Sequence, residues 1–309
     1  MDLSIVTTTY NSGKYSKEFV KRINKIVENK KFSSEIIIVD DGSTDNSLEL
    51  LKNLVKEISN LKVIELSRNF GHHNALFCGI KNSKGKFVFL IDGDLEEDPE
   101  DFYDLHNELI KNNLDMVFGQ QLTRRGNNFE RFSGNLYYLF LEFIADAKIP
   151  HNAVTSRVMT RKYVNSLLSF RESQFVLSGL YELNGFKTKS IFIKKSRRRK
   201  STYNLSRKFQ ILVRSITNYS DRPLYLLFYL GLIISLISLF MIVYLVLISF
   251  IRSVSIPGWL TLVCLSWLGV GITILSNGIL AIYLKTIFVE VKKRPRTIIR
   301  NIFKKKDKL

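Results

Sequence analysis

Phe87-Val88-Phe89-Leu90-Ile91-Asp92-Gly93-Asp94 is a short apolar run, four of its five residues aromatic or β-branched, that ends abruptly in two carboxylates flanking a glycine. Such a run reads as a buried β-strand, and the Asp-Gly-Asp as the turn at its carboxyl end. Working outward, Leu3–Thr9, Glu35–Val39, Val63–Leu66 and Met116–Gly119 have the same β-rich character. Helical stretches lie between them, over Lys14–Asn29, Asp45–Ile58, His73–Asn82 and Pro99–Asn112. Strands alternating with helices predict an α/β domain with a mostly parallel sheet covered on both faces. In such sheets ligands bind beyond the carboxyl ends of the strands. That rule selects Thr7–Asn11, Asp40–Ser43, Ser67–Asn69 and Asp92–Asp94, where carboxylates gather.

The chain has 309 residues and a formal net charge of +18, and the location of that charge matters more than its size. Nine Lys or Arg and no acid lie between Lys194 and Arg214, and ten, against Glu290 and Asp307, between Lys285 and Lys308. Between these blocks, Leu224–Ile251 and Ser253–Leu284 run for 28 and 32 residues without a charge. About 20 apolar residues span a bilayer core, so each run is long enough. The turn-forming Arg252–Gly258, followed by Trp259, makes the pair a transmembrane hairpin. One Arg in the turn against two basic outer flanks places the N-terminal domain and the tail together on the cytoplasmic side of a bacterial-type inner membrane. Basic clusters bordering a bilayer argue for anionic lipid rather than nucleic acid. Cys78 and Cys264 are far apart and offer neither a metal spacing nor a disulfide framework. Met1–Asn11 lacks the pattern of a cleavable signal peptide.

The expected domains are 1–127 (the α/β core), 128–222 (a membrane-interface region), 223–289 (two transmembrane helices) and 290–309 (a basic cytoplasmic tail). Phe129–Ile149 is aromatic-rich and reads either as a core helix or as an interfacial amphipathic helix. Lys208–Tyr219 has the same character. Two carboxylates on a strand-end turn suit a hard divalent cation that completes its shell with water and substrate phosphates, and such a cation neutralises a departing diphosphate. His72 and His73 have no third ligand at a metal spacing and read as packing or capping residues.

Val6–Asn11, Ile38–Asp45, Arg68–Gly71 and Ile91–Leu95 together resemble the family 2 inverting glycosyltransferases, which have a GT-A (Rossmann-like) fold. With the C-terminal hairpin, the chain is similar to the polyprenyl-phosphate glycosyltransferases, the group of dolichol-phosphate mannose synthase and undecaprenyl-phosphate glucosyltransferase. The resemblance implies that Thr8, Tyr10, Asp41 and Arg68 contact the nucleotide, Asp41 accepting from the pyrimidine ring. It implies that Asp92 faces the ribose or the metal's water shell, and that Asp94 binds Mg2+ or Mn2+ with the diphosphate. Asp92 and Asp94 are thus the expected metal-binding and catalytic pair.

The later motifs match less closely. Where lipid-phosphate members carry an acid followed by Phe-Arg, this chain has Asn152–Met159, with Thr155 at the acid position and Arg157 retained. Arg157 suits a phosphate clamp, or else a surface ion pair. Arg197–Tyr203 resembles the family's basic loop, which implies that Arg199, Lys200 and Tyr203 cover the diphosphate or the acceptor phosphate; solvated charge facing lipid is the alternative. If a base is required, Glu96, Glu97 and Asp98 are nearest, and Glu97 is the expected choice; they read equally as an acidic helix start. An anionic acceptor phosphate needs positioning more than deprotonation. The expected reaction is therefore inverting transfer of a hexose from a nucleotide sugar, UDP-linked by expectation, to polyprenyl (undecaprenyl) phosphate, with a lipid-linked saccharide hydroxyl as the alternative acceptor. A homo-oligomer is compatible with the sequence, which does not set the copy number.

Overall fold

The computed structural model of the chain describes residues 1–121, 152–172, 177–194 and 258–305, with single positions 229, 233, 236 and 240. Described residues up to 194, together with those from Arg294 onward, form one compact unit; those from 258 to Lys293 belong to a second.

In the first unit β1 (Leu3–Thr9), α1 (Ser16–Lys30), β2 (Ser34–Asp40), α2 (Ser47–Glu57), β3 (Leu61–Leu66), α3 (His72–Lys81) and β4 (Phe87–Leu90) alternate as expected. Then come α4 (Phe102–Lys111), β5 (Met116–Gln120), β6 (Ala153–Thr160), α5 (Arg161–Ser169), α6 (Leu177–Leu183) and β7 (Thr188–Phe192). After α7 (Trp259–Val291) of the second unit, β8 (Ile299–Lys304) returns to the first. The eight strands form one sheet in the order β7-β5-β6-β4-β1-β2-β3-β8. Its centre, β4-β1-β2-β3, is wholly parallel, while β6 and β8 run antiparallel to their neighbours.

Alternation along each strand builds two cores. Leu3, Ile5, Ile36, Ile38 and Phe89 pack with Phe19, Ile23, Leu51 and Phe102 on one face. Val6, Ile37, Val39, Val88 and Leu90 pack with Leu76, Ile80, Tyr163 and Leu180 on the other. Burial on both faces is why these strands read as continuous apolar runs. In α1 the buried Phe19, Val20, Ile23, Ile26 and Val27 recur at helical spacing, so one stripe meets the sheet. Thr160 caps α5, its hydroxyl accepting from the Tyr163 amide at 3.3 Å.

The sheet continues across the expected 127/128 boundary through β6 and β7, and the segment expected as a basic tail supplies β8. Its positive charge had hidden an Ile-Arg-Asn-Ile-Phe-Lys strand whose Phe303 packs on the first core. In the second unit, α7 covers most of the second apolar run. Among the described residues no helix is long and apolar enough to cross a membrane. Most of the first apolar run and some side chains of α7 lie outside that description, as do Phe129–Ile149 and Lys208–Tyr219.

Candidate active site

The parallel register brings the ends of β1, β2 and β3 into line: Thr9 is level with Asp40, and Asp40 with Glu65. Each strand therefore releases its loop at the same edge. At the end of β2, Asp41 is buried, and its two carboxylate oxygens accept from the Phe70 amide at 2.8 Å and the Gly71 amide at 3.0 Å. Burial pushes its pKa above the usual carboxylate value, against the opposing pull of those two N–H groups. Each oxygen keeps a second lone pair. Gly42 has φ +70°, and a Cβ there would stand 2.5 Å from the Arg68 carbonyl carbon. Only glycine allows the two loops to approach this closely. Arg68 lies over the Phe70 ring, 4.6 Å from its centroid. Tyr10 is 46% exposed at the same edge.

The Asp92–Glu97 turn carries the carboxylates expected to meet a diphosphate. Leu95, buried in this turn, has φ +60°, a left-handed conformation that costs a non-glycine residue about 1 kcal/mol. The Glu96 amide donates to Asp94 Oδ1 at 3.0 Å. Asp92 Oδ2 accepts from the Thr155 hydroxyl at 2.9 Å, and its Oδ1 lies 3.4 Å from His72 Nε2. The other ring nitrogen, His72 Nδ1, is 3.1 Å from Thr8 Oγ1. A chain of polar contacts thus links Thr8, His72, Asp92 and Thr155, joining β1, α3, β4 and β6.

Asp92 and Asp94 together offer hard oxygen donors, and among the described residues no group of three or more His, Cys, Asp or Glu forms a metal cage. Carboxylate oxygens are the donor type that Mg2+ or Mn2+ takes when it is shared with substrate phosphates. Oxygen donors of this kind accord with a hard divalent cation.

Two expected catalytic residues stand differently from their sequence reading. Glu97 is fully buried, and its oxygens accept from the Thr155 amide at 3.1 Å, the Ser156 amide at 2.8 Å and the Ser156 hydroxyl at 2.6 Å. It ties the β4 turn to β6 instead of facing an acceptor. Arg157 is also buried: its Nε donates to the Thr155 carbonyl at 3.0 Å and Nη2 to the Val154 carbonyl at 2.6 Å. Its guanidinium stacks 3.9 Å from the Tyr181 ring centroid. Buried, with two nitrogens on its own strand and its plane on an aromatic face, Arg157 is not a surface ion-pair partner. Arg199, Lys200 and Tyr203 lie outside the described residues.

Sequence reasoning passed over His72 and Thr155 as site residues. The first directly follows the Arg68–Gly71 motif, which was the available signal. The second was noticed only as a missing acid; that its hydroxyl would reach Asp92 depends on β6 running antiparallel beside β4, with Leu90 opposite Arg157.

Residues 4–168 match the model of the family described as Glycosyl transferase family 2. A protein of Mycobacterium tuberculosis (strain CDC 1551) assigned to the glycosyltransferases is 37% identical over 303 residues, covering 98% of this chain and 89% of its own. A prophage-derived bactoprenol glucosyl transferase of Shigella flexneri is 28% identical over 306 residues, covering 97% and 98%. Among solved structures, a mannosyltransferase of Pyrobaculum calidifontis in complex with GDP-Man and Mn2+ is 14% identical with a TM-score of 0.49, covering 94% of this chain and 86% of that one. The strand order, the carboxylates at the strand ends and the match over more than half its length make this chain a glycosyltransferase of GT-A-like α/β fold, and it belongs to glycosyl transferase family 2.

Proposed function

We propose that the protein transfers a hexose from a nucleotide sugar, UDP-linked, to polyprenyl phosphate at the cytoplasmic face of the membrane. In support of this reading, Thr155 donates its hydroxyl to Asp92 in place of a carboxylate base, which accords with an acceptor that is already anionic. Where lipid-phosphate members carry an acid, this chain has a hydroxyl that orients an existing carboxylate, and the nearby Glu97 is buried against β6. An acceptor phosphate is already anionic near pH 7 and does not need a base. Its oxygen attacks the anomeric carbon as the bond from that carbon to the nucleotide diphosphate breaks, with inversion, and the nucleoside diphosphate leaves with the electron pair. A bound Mg2+ or Mn2+ would supply charge neutralisation on that diphosphate. Asp92 and Asp94 would hold the ion, and Asp41, Arg68, Tyr10 and Thr8 the nucleoside. The Shigella relative's name, a bactoprenol glucosyl transferase, agrees with a polyprenyl acceptor.

Membrane anchoring rests on separate observations. Positions 229, 233, 236 and 240 are helical, and Tyr229, Ile233, Leu236 and Phe240 are exposed apolar side chains, as are Leu262, Leu284, Phe288 and Val291 of α7. So much uncovered apolar surface calls for a lipid environment or a partner. β8 pairs with β3 of the N-terminal unit, so a chain that enters the membrane after that unit must cross it an even number of times. A two-helix hairpin satisfies that parity and agrees with the basic flanks.

Membranes containing the protein, incubated with labelled UDP-hexose and polyprenyl phosphate, should yield a glycolipid labile to mild acid. Product formed only from a preassembled glycolipid with a free sugar hydroxyl would reject the phosphate acceptor.

A further inference from the structure

We infer that β8 is a brace for the nucleotide site, and that Arg300 is a positioning residue acting through Ser67 on the Arg68–Gly71 loop. The inference rests on the reading of that loop as nucleotide-binding. Glu65, near the end of β3, is a buried carboxylate. Its Oε1 accepts from Arg300 Nη1 at 3.2 Å and its Oε2 from Asn301 Nδ2 at 2.8 Å, so the C-terminal strand satisfies both oxygens. The β3–β8 register shifts between Glu65 and Leu66, where β3 gives way to the loop. Beyond that irregularity the chain segment around β8 takes both backbone groups of Ser67. The Ser67 amide donates to the Ile298 carbonyl at 2.9 Å, and Arg300 Nη2 donates to the Ser67 carbonyl at 2.9 Å.

Ser67 leads directly into the residues that meet Asp41. The Arg68–Asn69 backbone lies against Gly42 too closely for a Cβ, and the next two amides, Phe70 and Gly71, hold both oxygens of Asp41. A displacement of Ser67 therefore reaches Asp41 within three residues. A second attachment keeps the segment seated: Arg296 Nη2 donates to the Phe170 carbonyl at 2.6 Å, and its guanidinium lies 4.3 Å from the Phe77 ring centroid. Phe77 belongs to α3, which starts immediately after Gly71. Contacts from 296–301 thus reach Ser67 at the start of the loop and the helix that follows it.

The test is hydrogen–deuterium exchange on the full-length protein in lipid nanodiscs, comparing wild type with Arg300→Ala and Arg300→Lys, alongside titration with UDP and Mn2+. Arg300→Ala should speed exchange of the Ser67, Phe70 and Gly71 amides by roughly ten-fold or more, with the β1 amides unchanged, because the loss is a local opening. UDP affinity should fall by a similar factor, about ten-fold for one charged hydrogen-bond set, and Arg300→Lys should restore part of both. Unchanged exchange at Phe70 and Gly71, a uniform rise across the whole sheet, or undiminished UDP binding by Arg300→Ala would each overturn the brace. Should Arg300→Ala fail to fold, Asn301→Leu, which removes the other partner of Glu65, must show the same localised opening. If wild type binds no UDP, the donor reading fails, while the exchange comparison still decides the brace.

Discussion

Asp92 is held from two sides, by the Thr155 hydroxyl and by His72, and these contacts separate roles that the sequence alone left merged. Thr155→Val keeps the shape and removes the hydroxyl. It should lower kcat roughly ten-fold, the worth of one hydrogen bond of about 1.4 kcal/mol, while thermal melting stays near wild type. Glu97→Gln should differ in costing stability as well: an amide N–H then faces backbone N–H donors in a buried site, at a cost of about 1–3 kcal/mol, so the melting temperature should fall along with activity. Asp94→Ala should reduce turnover by at least about 100-fold, comparable to losing a principal electrostatic stabiliser, in assays of metal-dependent nucleotide release. Asp101 offers a pH signature. Burial first, then the carboxylates of Asp98, Glu97, Asp104 and Glu100, push its pKa up to about 7 from 3.8. For an acid whose folded pKa is raised, the stability present below pH 4 is lost as pH rises through 7. Asp101→Asn should therefore raise the melting temperature at pH 8, and the gain should vanish as pH approaches 4.

At the scale of elements, the turn between β2 and α2 and the loop after β3 form one structural piece. Gly42→Ala places a methyl group 2.5 Å from the Arg68 carbonyl carbon and asks alanine to adopt φ +70°. The loop must move, so the KM for the nucleotide sugar should rise while the rate at saturation changes less; steady-state kinetics with donor varied would show the split. β4 and β6 make the comparable pair on the other side of the site. Their antiparallel pairing, with Phe89 opposite Val158 and Leu90 opposite Arg157, carries Thr155 to Asp92 and leaves Arg157 against Tyr181. Strand direction determined which side chains of 152–159 reach the carboxylates.

At the scale of the whole molecule, a chain that leaves one unit, passes through α7 and returns as β8 has both ends of its N-terminal unit and its tail on one side of any membrane it enters. On the proposed cytoplasmic orientation, tags at Met1 and after Leu309 should both be protease-resistant in sealed right-side-out vesicles and both cleaved in inverted ones. Cleavage of one tag alone in either preparation would reject the hairpin.

The periodicity of the sequence by itself determined the alternating strands and helices and the loops that carry Asp41, Arg68, Asp92 and Asp94. These features are local: a strand buried on both faces must be apolar, and a polar residue marks where it emerges. Thr155 on Asp92, Glu97 on β6 and Arg300 on Glu65 were decided only by the tertiary structure. Each joins residues 58 or more positions apart, through antiparallel pairings whose partner and register are long-range choices. The strand in the basic tail stayed hidden for the same reason. Six residues at a sheet edge bury little apolar surface of their own, and it is the open edge of β3, with a buried carboxylate to be paired, that gives them their place.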